Sequence, residues 1–222
     1  MSETLPLFPL GTVLYPGVLL PLNIFEERYR QLVHDLLEGP EPGRFGVIAI
    51  RKGRETGVDG ISALHEIGCT ATLREVAEQD DGRFHLVTVG TQRFRLASLD
   101  DSRPYLQGEV ELLEEEVGDE AAAGLAVQAV QRGFRGYVEA LASRKNVEVS
   151  VPELPGEPSP LSYLVAATMV LDLGDHQSLL AAPDTATRLL LELGLLRRES
   201  ALLRVLPSLP GVDYARQPAS PN

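Results

Sequence analysis

Tryptophan is absent from this chain of 222 residues, and aromatic residues of all kinds make up only 5% of it. A platform for stacking sugars or nucleobases is therefore not expected. Cysteine occurs once, as Cys69, so no internal disulfide can form, and its place in an alternating apolar stretch makes it a small core residue. Lysine is nearly missing too. Neither Lys52 nor Lys145 follows a glycine, so there is no phosphate-binding loop, and both sit in charged or polar settings that keep the amine protonated and a poor base. A G-x-S-x-G nucleophile turn is also lacking. The four histidines, His34, His65, His85 and His176, fall at no spacing used by metal sites, and Asp172, Asp175 and His176 read as helix-cap and linker residues. No catalytic residue, metal or cofactor is expected. Finally, no uninterrupted run reaches the roughly 20 apolar residues of a membrane helix, and no charged segment leading into an apolar one opens the chain. A soluble, cytoplasmic protein without a membrane partner is the expectation.

The net charge is −12. Nucleic-acid binding draws most of its strength from cations set against phosphates, so a DNA or RNA partner is disfavoured. Length alone allows one large domain or two small ones, with a core that needs no staple.

The chain is organised around its opening, Leu5 to Arg30. Pro6, Pro9, Pro16 and Pro21 punctuate an apolar stretch, and Pro16-Gly17 has the residue pair that a type II turn wants at its centre. Thr12 to Tyr15 and Val18 to Leu22 are predicted as neighbouring extended segments. Asn23 is placed to cap a helix with Glu26 at its third position, and Phe25, Tyr29, Leu32 and Leu36 then recur at helical spacing.

Further on, Phe45 to Ile50 reads as a strand covered on both faces. Arg51 to Gly60 reads as an exposed loop, and Ile67 to Leu73 alternates as a half-buried strand. Asp80-Asp81-Gly82 signals a hairpin to the segment Arg83 to Gly90, and further strands follow at Arg93 to Leu96 and Leu106 to Leu112. The charge run Glu114 to Asp119 is read as a solvated connector. Helices follow it. Leu125, Val127, Val130, Phe134, Tyr137 and Leu141 mark a long amphipathic one; a proline-rich loop spans Val147 to Pro160. Ser159 is expected to cap the next helix, buried through Leu161, Leu164, Val165 and Thr168 and ended by Gly174. A short helix over Asp175 to Ala181 is stopped by Pro183, and Asp184 caps a last one bearing Leu189, Leu193, Leu196 and Leu203. The fold class is thus α+β: a β-rich part over 1–116 (a bent sheet or open barrel), a helical bundle over 117–206, and a disordered tail over 207–222.

Five stretches in order, LPLFPL, YPG, PLNIFEERYR, EIGCTATL and DHQSLLAAPDTATRLLLELGLLRRE, together resemble the N-terminal substrate-binding domain of the Lon protease family. The resemblance covers residues 3 to about 206 and implies a PUA-like β-rich half. It leaves out the ATPase and peptidase parts. It implies non-catalytic binding of unfolded or partly folded polypeptide, as an adaptor or quality-control factor with a protease or chaperone as further partner. The predicted substrate-binding residues are Phe8, Tyr15, Pro16, Val18 and Phe25, bulky apolar groups on the opening stretch. The other reading of these five is that they form the core between sheet and helix. The rival functions are a stand-alone hydrolase or peptidase, and a small-molecule sensor using a cleft between the two halves.

Overall fold

A computed structural model describes residues 2–53, 61–145, 147 and 151–205. In chain order the elements are β1 (Ser2–Leu10), β2 (Leu19–Ile24), α1 (Glu27–Glu38), β3 (Arg44–Gly53), β4 (Ile61–Leu64), β5 (Ile67–Glu78), β6 (Phe84–Asp100) and β7 (Gln107–Leu112). The helices α2 (Glu120–Lys145), α3 (Pro158–Thr168), α4 (Leu173–Leu180) and α5 (Thr185–Val205) complete it. The architecture is α+β.

Strand order explains the shape. Six of the seven strands run β1-β7-β6-β5-β3-β4, with β2 added beside β6, and β1 also pairs in parallel with β3, so β1, β7, β6, β5 and β3 close into a ring. The opening that the sequence left in the barrel is therefore sealed by Leu7 to Leu10 lying beside Gly46 to Ala49. Leu5, Leu7, Ile48, Phe94 and Val110 form a buried cluster built from strands alone. Room for the Phe94 ring comes from glycine. A Cβ on Gly68 would sit 2.3 Å from Phe94 Cζ and 2.6 Å from the Val47 carbonyl oxygen. Against the β-rich half α1 lays Tyr29, Leu32, Val33 and Leu36, meeting Phe8, Phe45, Phe84 and Leu86.

Several local expectations are corrected. Pro16-Gly17 does make a turn, with Gly17 at φ +80° and the Val18 N–H donating to the Tyr15 carbonyl at 3.2 Å. It joins no hairpin: β1 pairs with β3 and β7, whereas β2 pairs with β6. Asn23 lies in β2 opposite His85, so the ladder has claimed the residue expected to cap, and α1 starts after Glu26 without a side-chain cap. Arg51 to Gly53 extend β3, and 54–60 fall outside the described residues. Ile67 to Thr72 are buried without alternation, because Thr70 bonds inward to Thr91 and to the Gln92 carbonyl while helices cover the other side. On α2, Leu125 is 79% exposed, and Ala123, Ala126, Val127, Val130, Phe134 and Tyr137 make the contact instead. Helix α3 begins at Pro158 behind Glu157, two positions before the expected start, and it buries Ser162, Tyr163 and Ala166 where Leu164 and Thr168 were expected. Gly174 lies inside α4, whose cap is Asp172, accepting from the Asp175 N–H at 2.8 Å. Asp184 caps α5 as expected, accepting from the Thr187 N–H at 2.7 Å. The expected tail, 207–222, lies outside the described residues, and among those described no helix is long and apolar enough to cross a membrane.

Candidate functional site

The five apolar residues singled out in the sequence do not share one surface. Phe8 and Tyr15 are enclosed, at 7% and 1% exposure, whereas Phe25 stands 59% exposed and Pro16 and Val18 are half-buried. Phe8 and Phe25 nevertheless meet at one groove. Strand β2 hydrogen-bonds to β6 and to no other strand among the described residues, so its second edge is open. Beside that edge lies a narrow groove of about 120 Å³, lined by Phe8, Pro9, Leu10, Leu22, Ile24, Phe25 and Tyr29 among others. Its floor is aromatic, with the Phe8 and Tyr29 rings tilted against one another at 4.3 Å between centroids. The lip is Phe25. At the other end of β2, Leu19 is 64% exposed, so both ends of the open strand carry apolar side chains facing water.

Tyr15 and Pro16 instead belong to the seam between the β-rich half and the helices. A cleft of about 670 Å³ opens there, bounded by the Pro16-Gly17 turn, by Arg44, Thr72, Thr91, Gln92 and Arg93 of the strands, by Leu113 and Glu115, and by Ser159, Pro160 and Tyr163. Among the described residues of the 147–160 loop, the last two, at the start of α3, reach this rim.

The seam's polar network was not legible in the sequence. Glu115, read as part of a solvated connector, bridges two arginines: Arg93 at 3.0 Å and Arg188 at 2.9 Å, whose side chains are 3% and 0% exposed. The Thr185 hydroxyl donates to the same carboxylate at 2.8 Å, as does the Tyr163 hydroxyl. Arg93 also donates to the carbonyls of Leu180 and Ala182, and Arg188 donates to the Leu179 carbonyl while lying 4.1 Å above the Tyr163 ring. Desolvation alone would raise the Glu115 carboxyl, but Arg188 and the Tyr163, Arg188 and Thr185 hydrogen bonds outweigh it and hold the group below the usual carboxylate range. Tyr15 closes the seam from the other side, donating to the His176 carbonyl at 2.9 Å. One signal was present: Arg188 and Glu192 stand four apart inside the apolar run of α5, where a charged pair is out of place unless something buried needs it.

These groups hold and position the two halves of the seam. Burial pushes the Cys69 thiol up to about 12, and it raises the Tyr15 and Tyr163 hydroxyls above their ordinary range. His176 is lowered by burial, partly opposed by Asp172 and Asp175, and its Nδ1 lies 3.1 Å from the Tyr15 hydroxyl. No cluster of three metal-ligating side chains occurs among the described residues.

Comparison with known proteins fits this geometry. The family model of the ATP-dependent protease La (LON) substrate-binding domain matches residues 4–198. Lon protease 2 of Myxococcus xanthus is 26% identical over 216 residues, covering 92% of this chain and 25% of that protein. The chain spans about a quarter of the length of the curated relatives it matches. A crystal structure of a Lon N-terminal domain protein from Xanthomonas campestris superposes with a TM-score of 0.58 at 27% identity, covering 92% of this chain and 99% of that one. The N-terminal domain of the Mycobacterium avium complex Lon protease gives 0.61 at 16% identity, covering 90% and 98%, which is a likeness of fold.

Proposed function

The chain belongs to the Lon substrate-binding domain family, and from that premise we propose that it binds extended, apolar segments of unfolded polypeptide without cleaving them, as an adaptor or quality-control factor. The observation that carries this reading is the open edge of β2 beside a groove with an exposed phenylalanine at its lip. An extended peptide gains main-chain hydrogen bonds by adding to a free strand edge, and it gains selectivity by placing alternate side chains in adjoining pockets. Pro21, in the middle of β2, has no N–H to offer. Pairing is thereby confined to short stretches on either side of it, which suits weak, sequence-tolerant capture and guards the edge against runaway association.

Of the residues predicted from sequence, Phe25 supplies the anchor, Phe8 the floor and Val18 the approach to the strand, while Pro16 lines the seam cleft. Tyr15 acts only through the seam. The test is binding of fluorescein-labelled casein, followed by anisotropy with and without ATP. Phe25→Asp is expected to weaken binding by about tenfold or more while Phe25→Leu largely retains it, as for an aromatic anchor at an interface. Unchanged affinity in Phe25→Asp, or cleavage of the casein, would refute the reading.

The seam cleft supports a second reading, a small-molecule sensor, because its volume of about 670 Å³ and its convergent polar side chains fall within the range of ligand pockets. Ligand retained by the purified protein in native mass spectrometry, and lost in Gln92→Ala, would favour it.

A further inference from the structure

Away from the β2 edge and the seam, a groove of about 420 Å³ runs between α2 and α5, and every residue lining it comes from those two helices. The two helices start side by side, since the Thr185 and Ala186 N–H groups donate to the Glu116 and Val117 carbonyls just ahead of α2. Small residues form much of the groove: Ala129, Gly133 and Gly136 from α2, Ser200 and Ala201 from α5. At Gly136 the space is open, as an added Cβ would meet nothing within 4 Å. Three arginines, Arg132, Arg197 and Arg204, stand at the same groove, all exposed, and among the described residues no acidic one lines it.

This concentration is unusual for the molecule. The chain carries 32 acidic residues against 20 basic ones, and arginines such as Arg44, Arg93, Arg103, Arg188 and Arg198 are engaged by carboxylates of the chain itself. Among the described residues Arg132, Arg197 and Arg204 have no such partner. Three unpaired guanidinium groups at one groove repel one another and attract whatever brings carboxylates to them.

We propose that the α2–α5 groove docks an acidic helical segment of a partner polypeptide. Arg197 and Arg204 are seven positions apart on α5, which is about 10.5 Å along a helix axis. Two carboxylates seven residues apart on a docking helix have the same spacing, and arginine's planar fork binds a carboxylate through two parallel hydrogen bonds. The open space at Gly136 lets a second backbone approach closely, whereas Gly133 is packed against Leu196. The chain's own C-terminal residues are a poor match, since 206–222 contain one acidic residue, Asp213, balanced by Arg216. Nucleic acid is a poorer match, because among the described residues no aromatic side chain lines the groove for a base to stack on.

The probe is a fluorescent helical peptide carrying glutamates seven residues apart, compared with its glutamine counterpart and with an oligothymidylate of equal charge. Anisotropy is measured at low and at physiological salt. The wild-type protein is expected to bind the glutamate peptide, to lose affinity as salt rises, and to ignore the glutamine version. Arg197→Glu/Arg204→Glu is expected to weaken binding by about tenfold or more, Arg132→Glu by less, and Phe25→Asp not at all. The last comparison separates this groove from the β2 edge. Because all three arginines are exposed, circular dichroism should show the variants folded. The proposal is overturned by absence of wild-type binding at low salt, by undiminished binding in the double variant, or by equal or tighter binding of the oligothymidylate. Concentration-dependent dimerisation abolished by the same charge reversals would also overturn it, by making a second copy the occupant.

Discussion

Arg93 and Phe94 are neighbours on β6, both enclosed at 3% and 0% exposure, yet they sit in regions held together by opposite means. Successive side chains on a strand point to opposite faces, so one turns toward the helices and the other packs among the strands. Around Phe94 everything is apolar, and fit is achieved by removing side chains, at Gly46 and Gly68. Around Arg93 enclosed apolar side chains share the space with polar groups, and fit is achieved by pairing, with Glu115 and backbone carbonyls taking up the charge. The lesson is one of failure modes. An apolar cluster tolerates loss of an atom better than intrusion of one, whereas a buried ionic seam tolerates neither partner being left alone.

The largest effect should follow from breaking the seam. Glu115→Ala strands Arg93 and Arg188 with no carboxylate, and removing one partner of a buried pair costs about 3–5 kcal/mol. The Glu115 side chain keeps 30% exposure, and water softens the loss, so the lower end of that range is expected in a denaturant titration. A change under about 1 kcal/mol would mean that the seam is held by its apolar members, Tyr15, Ile67, Leu179 and Leu180, and not by charge.

A smaller effect tests the strand cluster. Gly68→Ala drives a methyl group into the Phe94 ring and against the Val47 carbonyl, which is backbone and cannot swing aside. Destabilisation of about 1–3 kcal/mol is expected. Adding Phe94→Leu should recover part of it, and absence of recovery would show that the carbonyl contact alone sets the cost.

The subtlest effect concerns a second buried acid. Glu192 lies one turn beyond Arg188 on α5, is 0% exposed, and has no hydrogen-bond partner on either carboxylate oxygen. Burial raises its carboxyl well above the ordinary range, and Arg188 offsets this only in part. A carboxyl raised in the folded state stabilises fully below its unfolded value. That contribution is lost as pH climbs toward the folded one, at up to about 1.4 kcal/mol per pH unit. Glu115 has the reverse sign, stabilising above its unfolded value and losing that contribution as pH falls through its lowered folded one. Glu192→Gln should therefore gain on the wild type in thermal melts as pH rises above the ordinary carboxylate range. Parallel profiles would place the pH dependence elsewhere.

The β-rich half, the four C-terminal helices, the Pro16-Gly17 turn, the Asp80-Asp81-Gly82 hairpin and the Asp184 cap were all legible in the sequence. The extended or helical character of each segment, the turns and the cap rest on residues close in the chain, so local pattern suffices. The candidate site was legible only in part. Phe25 could be picked out as a bulky apolar group at a helix entry, but nothing local reveals that Phe8 lies beneath it or that Tyr15 turns inward to meet His176, 161 positions away. Asn23 had the chemistry of a cap and became part of a strand because β6 offered it a partner.

What the sequence determined by itself was which segments extend, which coil, and that no phosphate loop or serine nucleophile turn accompanies them. Tertiary structure alone decided that β1 closes the ring through β3, that β2 keeps a free edge, and that Glu115 stands between Arg93 and Arg188. The physical reason is range. Propensity, capping and periodicity act within a few residues, whereas strand closure and charge pairing bring together groups that the chain keeps far apart until it folds.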